Sequence, residues 1–442
     1  SVTGGTLTID VADSFQVTGS STRLFGPITV NGNVLFSSSG QLRVTGVLTL
    51  NGTMNVLDGV IGFDAGSSTA GNATFLLGNT VTGSGAIFGI VAAGGGVNTM
   101  TIGTGTTVSG FGTIGQAVFV GGGTFELINN GLVRATSAAR TLTVNPTEAY
   151  RNNGTTSAAG GILTLSTPWT GATGTLNVSS GTLNLGGTFT TADLNLATFT
   201  RTGGTVNISG AMDNTGATLA LTAATGVFTV SGGSITGGAV TIVAGGGLTF
   251  DGNTINRLSG PMSITGNPTT GSNGSVRFAG QVSLNGTFTI GAGNLGLTNG
   301  AVLDGGTYIL GDGVGNPGNL GITGTAPTSS VSINAGTTVR GFGAIGGWVF
   351  TVGATGNLTN NGTIIAEGSG RTLTINTPNL FTNTGTLRTQ TGTTLTITSN
   401  SWTSSTGTFL VEGGTLNLGG TFTTADLNLA TFTRTGGTVN IS

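Results

Sequence analysis

The chain of 442 residues holds 86 glycines, no cysteine, no histidine and a charged side chain at only 6% of its positions, and its formal net charge is −2. All 12 of its basic residues are arginine. This composition excludes a disulfide framework and thiolate chemistry, histidine-based zinc sites and triads, and the basic footprint of a nucleic-acid or anionic-lipid binder.

In chain order, the sequence opens on SVTGGTLTID with no visible signal peptide. Short apolar alternations follow: VLTLNG from Val47, TLTVN from Thr141, ILTLS from Ile162, TLNVSS from Thr175, TLNLGG from Thr182, TVNIS from Thr205, TLAL from Thr218 and AVTIV from Ala239. Thr or Asn alternates with Leu, Ile or Val, which is the period of a strand with one buried face. Thr and Asn are expected to face out in ladders. The pairs Asn31-Gly32, Asn51-Gly52, Asn130-Gly131, Asn285-Gly286 and Asp304-Gly305 separate such segments, and are read as turns that need positive φ. The longest apolar run, Ala86 to Val97, is glycine-broken and too short to span a bilayer. With 21 Phe against 8 Pro, the chain has the material for a large core and not the composition of a disordered segment.

Self-comparison reveals a long repeat. GTLNLGGTFTTADLNLATFTRTGGTVNIS at 181–209 returns letter for letter at 414–442. GTTVSGFGTIG (105–115) parallels GTTVRGFGAIG (336–346), and RLFGP at 23–27 parallels RLSGP at 257–261. The unit is about 232 residues, with a first copy over 1–241 and an incomplete second over 242–442. Short uniform strands separated by glycine favour stacked coils over sandwich domains of about 100 residues each. At about 20–25 residues per coil the chain makes about 20 coils.

The phrases SGFGTIG, GTLNLGG, TGGTVNIS and AMDNTG resemble repeat regions of very large exported bacterial surface proteins, the autotransporter passengers and filamentous-haemagglutinin-like adhesins, over essentially the whole chain. The resemblance implies an all-β, right-handed parallel β-solenoid with essentially no α-helix. It also implies export to the cell surface and a role in attachment, matrix or filament formation. The leading expectation is therefore an extracellular structural rod: the shaft of a surface adhesin or a filament, self-associating or meeting other surface components. It is not an enzyme, takes no cofactor or metal, and neither binds nucleic acid nor inserts into membranes. A carbohydrate-binding or polysaccharide-cleaving β-helix, with glycans as partners, and an ice-binding surface built on the TLT segments are the alternatives.

GxGxxG at Gly110–Gly115 and Gly341–Gly346 precedes strand-like QAVFVGGG and GWVFTVGA, so it reads as solenoid corners and not as a dinucleotide loop. Asp58 with Asp64 and Asp304 with Asp312 are the pairs that offer carboxylates to Ca²⁺; capping of turns is the alternative. Asp58, Asp64, Glu126 and Glu148 are the best acids for a hydrolytic pair. Asp193 and Asp426 are repeat equivalents and share no site. Asp10 and Asp13 are expected on one strand, facing opposite sides. Arginine recurs at Arg23/Arg257, Arg43/Arg277, Arg140/Arg371 and Arg201/Arg434. These residues are read as bonding loop carbonyls or a nearby acid, as Arg201 with Asp193, with glycan or phosphate binding as the sharper alternative. Trp169 and Trp402 are read as buried fillers of a wide coil.

Overall fold

Alternation decides the fold locally. In Thr141–Val144 the side chains of Leu142 and Val144 are buried while the threonines point outward, as a pleated strand dictates. The computed structural model describes all residues except 11, 12, 14, 21, 38, 92–95, 120, 121, 325, 326, 352 and 354. It is a parallel β-solenoid of about eighteen turns, with 59% of residues in strands and 2% helical. The apolar run noted above divides into Ala86–Val91 and Val97–Ile102; residues 92–95 between them lie outside the described set. Among the described residues no helix is long and apolar enough to cross a membrane.

Two compact units are distinguished, Ser1–Met212 and Asp213–Ser442. The sequence period instead changes copy at 241/242. In stacked coils every rung makes the same kind of neighbour contact, so a sequence period does not define a packing boundary.

Within the first unit, Thr141–Val144 pairs in parallel with Thr155–Leu165, that strand with Thr175–Leu185, and that one with Thr205–Ile208. Leu142, Leu163, Leu183 and Val206 thereby stack in one buried row, and Val144, Leu165, Leu185 and Ile208 in a second. The second unit repeats the pairing with Thr372–Ile375, Thr394–Ile397, Thr415–Leu418 and Thr438–Ile441, and buries the same two rows as far as Leu416 and Leu418; in the last strand Val439 is half-buried and Ile441 exposed. Each buried aliphatic side chain contributes about 1.5–3 kcal/mol, set against the entropy of ordering the coil. Wider coils are filled by rings: Phe63, Phe75 and Phe88 cluster at 4.9–6.4 Å in the first unit, and Phe250, Phe288 and Tyr308 stack at 5.8 and 6.1 Å in the second.

Three expectations are corrected here. Asparagine does not only face out. Asn129, Asn152, Asn360 and Asn383 are buried to 1% exposure or less. Asn129 donates to Asn152 at 2.9 Å, Asn360 to Asn383 at 2.8 Å and Asn383 to Ser404 Oγ at 2.8 Å. The side-chain amide has both donor and acceptor, so a column of them satisfies itself down the stack, and the same column bonds turn backbone such as Gly131 N. Asp10 and Asp13 are not on a strand. The first strand, Val2–Thr8, has ended before them, and Asp13 N bonds Asp10 O. Asn-Gly is not always a positive-φ turn: Gly32, Gly52, Gly286 and Gly305 have φ of 117°, 158°, 148° and 71°, but Gly131 does not share this region. Its glycine serves space, since a Cβ would lie 2.3 Å from Thr106 O.

The GxGxxG segments are corners. Strand Thr107–Gly110 turns through Phe111 into Gly112–Val118, and Thr338–Gly341 turns through Phe342 into Gly343–Trp348. Gly110 and Gly341 have φ near +120°, and a Cβ on either would fall 2.0 Å from a carbonyl of the coil against it.

Candidate functional site

After each of these corner strands the chain bends back across the outer face of earlier coils. In the first unit Phe119 takes a left-handed backbone, φ 66°, and its ring lies on Gly62: a Cβ there would be 2.6 Å from the ring. Val118 covers Gly89 in the same way, at 2.4 Å. In the second unit Phe350, φ 64°, lies on Gly296 at 2.7 Å and Val349 on Gly321 at 2.8 Å. Glycine is required at these four positions because anything larger would lift the segment off the sheet.

The glycines continue an outward column that begins in arginine. In the first unit Arg23 pairs in register with Arg43, Arg43 with Gly62 and Gly62 with Gly89. In the second, Arg257 pairs with Arg277, Arg277 with Gly296 and Gly296 with Gly321. Each unit thus presents two guanidinium groups on adjacent rungs beside an aromatic ridge.

The surroundings differ between copies. In the first, Ser20, Thr22, Arg23, Gln41, Arg43, Gln116 and Phe119 help to line an open cleft of about 540 Å³. Arg43 donates to Asp64 at 2.6 Å, and Thr45 Oγ1 to the same carboxylate at 2.5 Å. Arg23 is exposed and has no ion pair or hydrogen bond among the described residues. In the second, Thr298 stands where the first has Asp64. Arg277 lies against the Phe350 ring at 4.9 Å, its Nε buried without a hydrogen-bond partner among the described residues. Burial, with Arg257 alongside, holds its guanidinium below the usual arginine range. The adjoining cleft, about 400 Å³, is neutral: Asn294, Asn319, Asn376, Trp348 and Phe350 line it, with Asn319 donating to Asn294 at 2.9 Å.

Trp348 is the site residue that the sequence reading missed. It is half-buried in this cleft, unlike the two tryptophans singled out. The signal was present: GWVF stands where the first copy has QAVF, so the copies differ where the clefts differ.

The other candidates are absorbed by structure. Trp169 and Trp402 are each 2% exposed, donate from Nε1 to Gly186 O at 3.1 Å and Gly419 O at 2.8 Å, and stack on Phe189 and Phe422. Arg201 takes the loop-carbonyl role of the two read for it. It donates to the carbonyls of Gly203 and Gly204, while Asp193, in the 3₁₀ turn Ala192–Leu194, accepts from Thr190 N and from Gly171 N of an earlier coil. The acid thus caps the backbone beside its own turn and ties it to the earlier coil. Arg140 and Arg371 donate to Gly83 O and Gly315 O and cover Phe111 and Phe342 at 5.6 and 5.2 Å.

Among the acids, Glu126 pairs with Arg151, and Asp58 Oδ1 is buried with no hydrogen-bond partner among the described residues. Glu148 precedes strand Ala149–Asn152, its N–H bonded to Phe125 O. Hydrogen bonds from Ser283, Asn334 and Gln281 hold Asp304 below its usual range. Asp312 is held down to about 2, first by the Asn316 amide and then by the backbone N–H groups of 314–316. Among the described residues no three acidic side chains gather as a metal site would require.

No protein-family model matches the chain, and no curated protein matches it.

Proposed function

We propose that the chain is a structural element of the bacterial exterior, the shaft of a surface adhesin or of an extracellular filament, with no catalytic step of its own. One observation carries this reading: the outward positions are spent on holding the coils together. Asn51 donates to Asn31 at 2.8 Å, Asn207 to Asn184 at 2.9 Å, Asn379 to Asn357 at 2.8 Å and Asn440 to Asn417 at 2.9 Å. Such rungs make a regular, nearly uncharged surface. With little charge to repel a neighbour, it suits close lateral packing or end-on addition of further coils.

Electron microscopy of the purified chain tests the reading. Slender particles of constant width that lengthen or bundle as concentration rises support a filament. Monodisperse short rods at every concentration leave a shaft and remove polymerisation. Globular particles overturn both.

A further inference from the structure

The two arginine columns ask for an explanation that the shaft does not give. Like charges directly in register on neighbouring strands destabilise a sheet. The chain has only 12 basic residues, yet four of them form two such pairs, Arg23 with Arg43 and Arg257 with Arg277, at equivalent places in the two copies. Arginines elsewhere on described strands face neutral residues: Arg134 faces Ser157, Arg340 faces Ile365 and Arg388 faces Leu410. Among the described residues only one of the four has an acid, Arg43 on Asp64, so each column keeps uncompensated positive charge.

Beside each pair the chain builds a ridge that costs a left-handed phenylalanine and two glycines. In the first unit that ridge walls an open cleft in which Gln41, Gln116, Ser20 and Thr22 add neutral donors and acceptors. Phe119, which lines it, is 41% exposed. A guanidinium fork matches a planar or tetrahedral oxyanion, amides and hydroxyls match hydroxyl groups, and an exposed ring face matches the apolar face of a pyranose.

We propose that the cleft of Arg23, Arg43, Gln41, Gln116 and Phe119 binds the sulfate or carboxylate groups of an acidic polysaccharide, with the Arg257/Arg277 column as a second, ring-covered contact. This site does not depend on the shaft reading, since a shaft, a filament or an isolated domain would each carry it.

The test is affinity electrophoresis of the full chain through gels containing dextran sulfate, neutral dextran or neither. The expected result is retardation by dextran sulfate alone, weakening as salt rises. Arg23→Gln and Phe119→Ala should each weaken it, the former by about tenfold, and Arg23→Gln with Arg257→Gln should abolish it. Arg23 and Arg257 are exposed, so these two substitutions leave the core intact, and an unchanged β-sheet circular dichroism spectrum checks that. Equal retardation of the doubly substituted chain, or none of the parent, overturns the proposal. Full displacement by sodium sulfate at the same sulfate concentration reassigns the site to a free anion and overturns its polysaccharide part.

Discussion

At the scale of single residues the two copies serve as each other's control. Tyr308 and Phe75 occupy equivalent rungs, pairing with Val339 and Val108 respectively. The Tyr308 hydroxyl is buried with no partner among the described residues, and burial pushes it well above the usual phenol range. Tyr150 is as deep, but its hydroxyl meets Thr156 Oγ1 at 2.5 Å. An orphaned polar group costs stability that a paired one does not. Tyr308→Phe should therefore stabilise the second unit by about 1 kcal/mol, and Tyr150→Phe should destabilise the first by about the same. Urea midpoints at constant slope read both signs; a loss for Tyr308→Phe would mean that the hydroxyl has a partner.

Asp312 makes a prediction in pH. Its folded value lies near 2 and its reference value at 3.8, so its contribution to the 312–316 turn is fully present above about pH 4. That contribution drains away as pH falls through the folded value. Carboxyl resonances followed by NMR should give a midpoint near 2 for Asp312, and Asn316→Ala should move it up. A midpoint near 3.8 in the parent chain would show that the turn does not hold the carboxylate.

At the scale of elements, the corner strand is the unit of design. Trp402 closes one by stacking on Phe422 and donating to Gly419 O. The 3₁₀ turn Thr424–Leu427 follows, with Asp426 accepting from Thr423 N and from the hydroxyls of Thr423 and Thr403. Trp402→Phe keeps an aromatic ring but loses the indole N–H and orphans the Gly419 carbonyl, so it should cost about 1–3 kcal/mol. Trp402→Ala, which also opens a cavity, should cost about 3–5 kcal/mol. Equal effects would place all the energy in the hydrogen bond.

The strands and their inward rows were legible because alternation acts through the pleat, residue by residue, and glycine through backbone space. The buried asparagine column was not. Alternation assigns Asn outward by its polarity, and only the stacked register shows that the next Asn stands ready as its partner. The arginine columns were visible as repeated letters, but their side-by-side placement comes from coil length, which varies from 19 residues at Gln41/Val60 to 33 at Thr74/Thr107. Trp348 escaped for a different reason: likeness between copies marks the scaffold, and this cleft lies in their difference.

At the scale of the whole molecule, charge plays two separable parts. The fold rests on apolar rows and neutral ladders, which salt does not screen. The described residues hold four ion pairs, all partly exposed, Arg43–Asp64, Arg151–Glu126, Arg340–Glu367 and Arg388–Glu412, and pairs of that kind contribute little. Thermal midpoints should then move by no more than about 2 °C between about 0.02 M and 1 M sodium chloride. The relief of repulsion within the two arginine columns at high salt should be the main part of any rise. Retention by dextran sulfate should vanish over the same range, since contact with a polyanion is the screened kind. A midpoint that falls steeply with salt would mean that ion pairs carry the fold. Retention that survives high salt would mean that the cleft reads the sugar and not its charge.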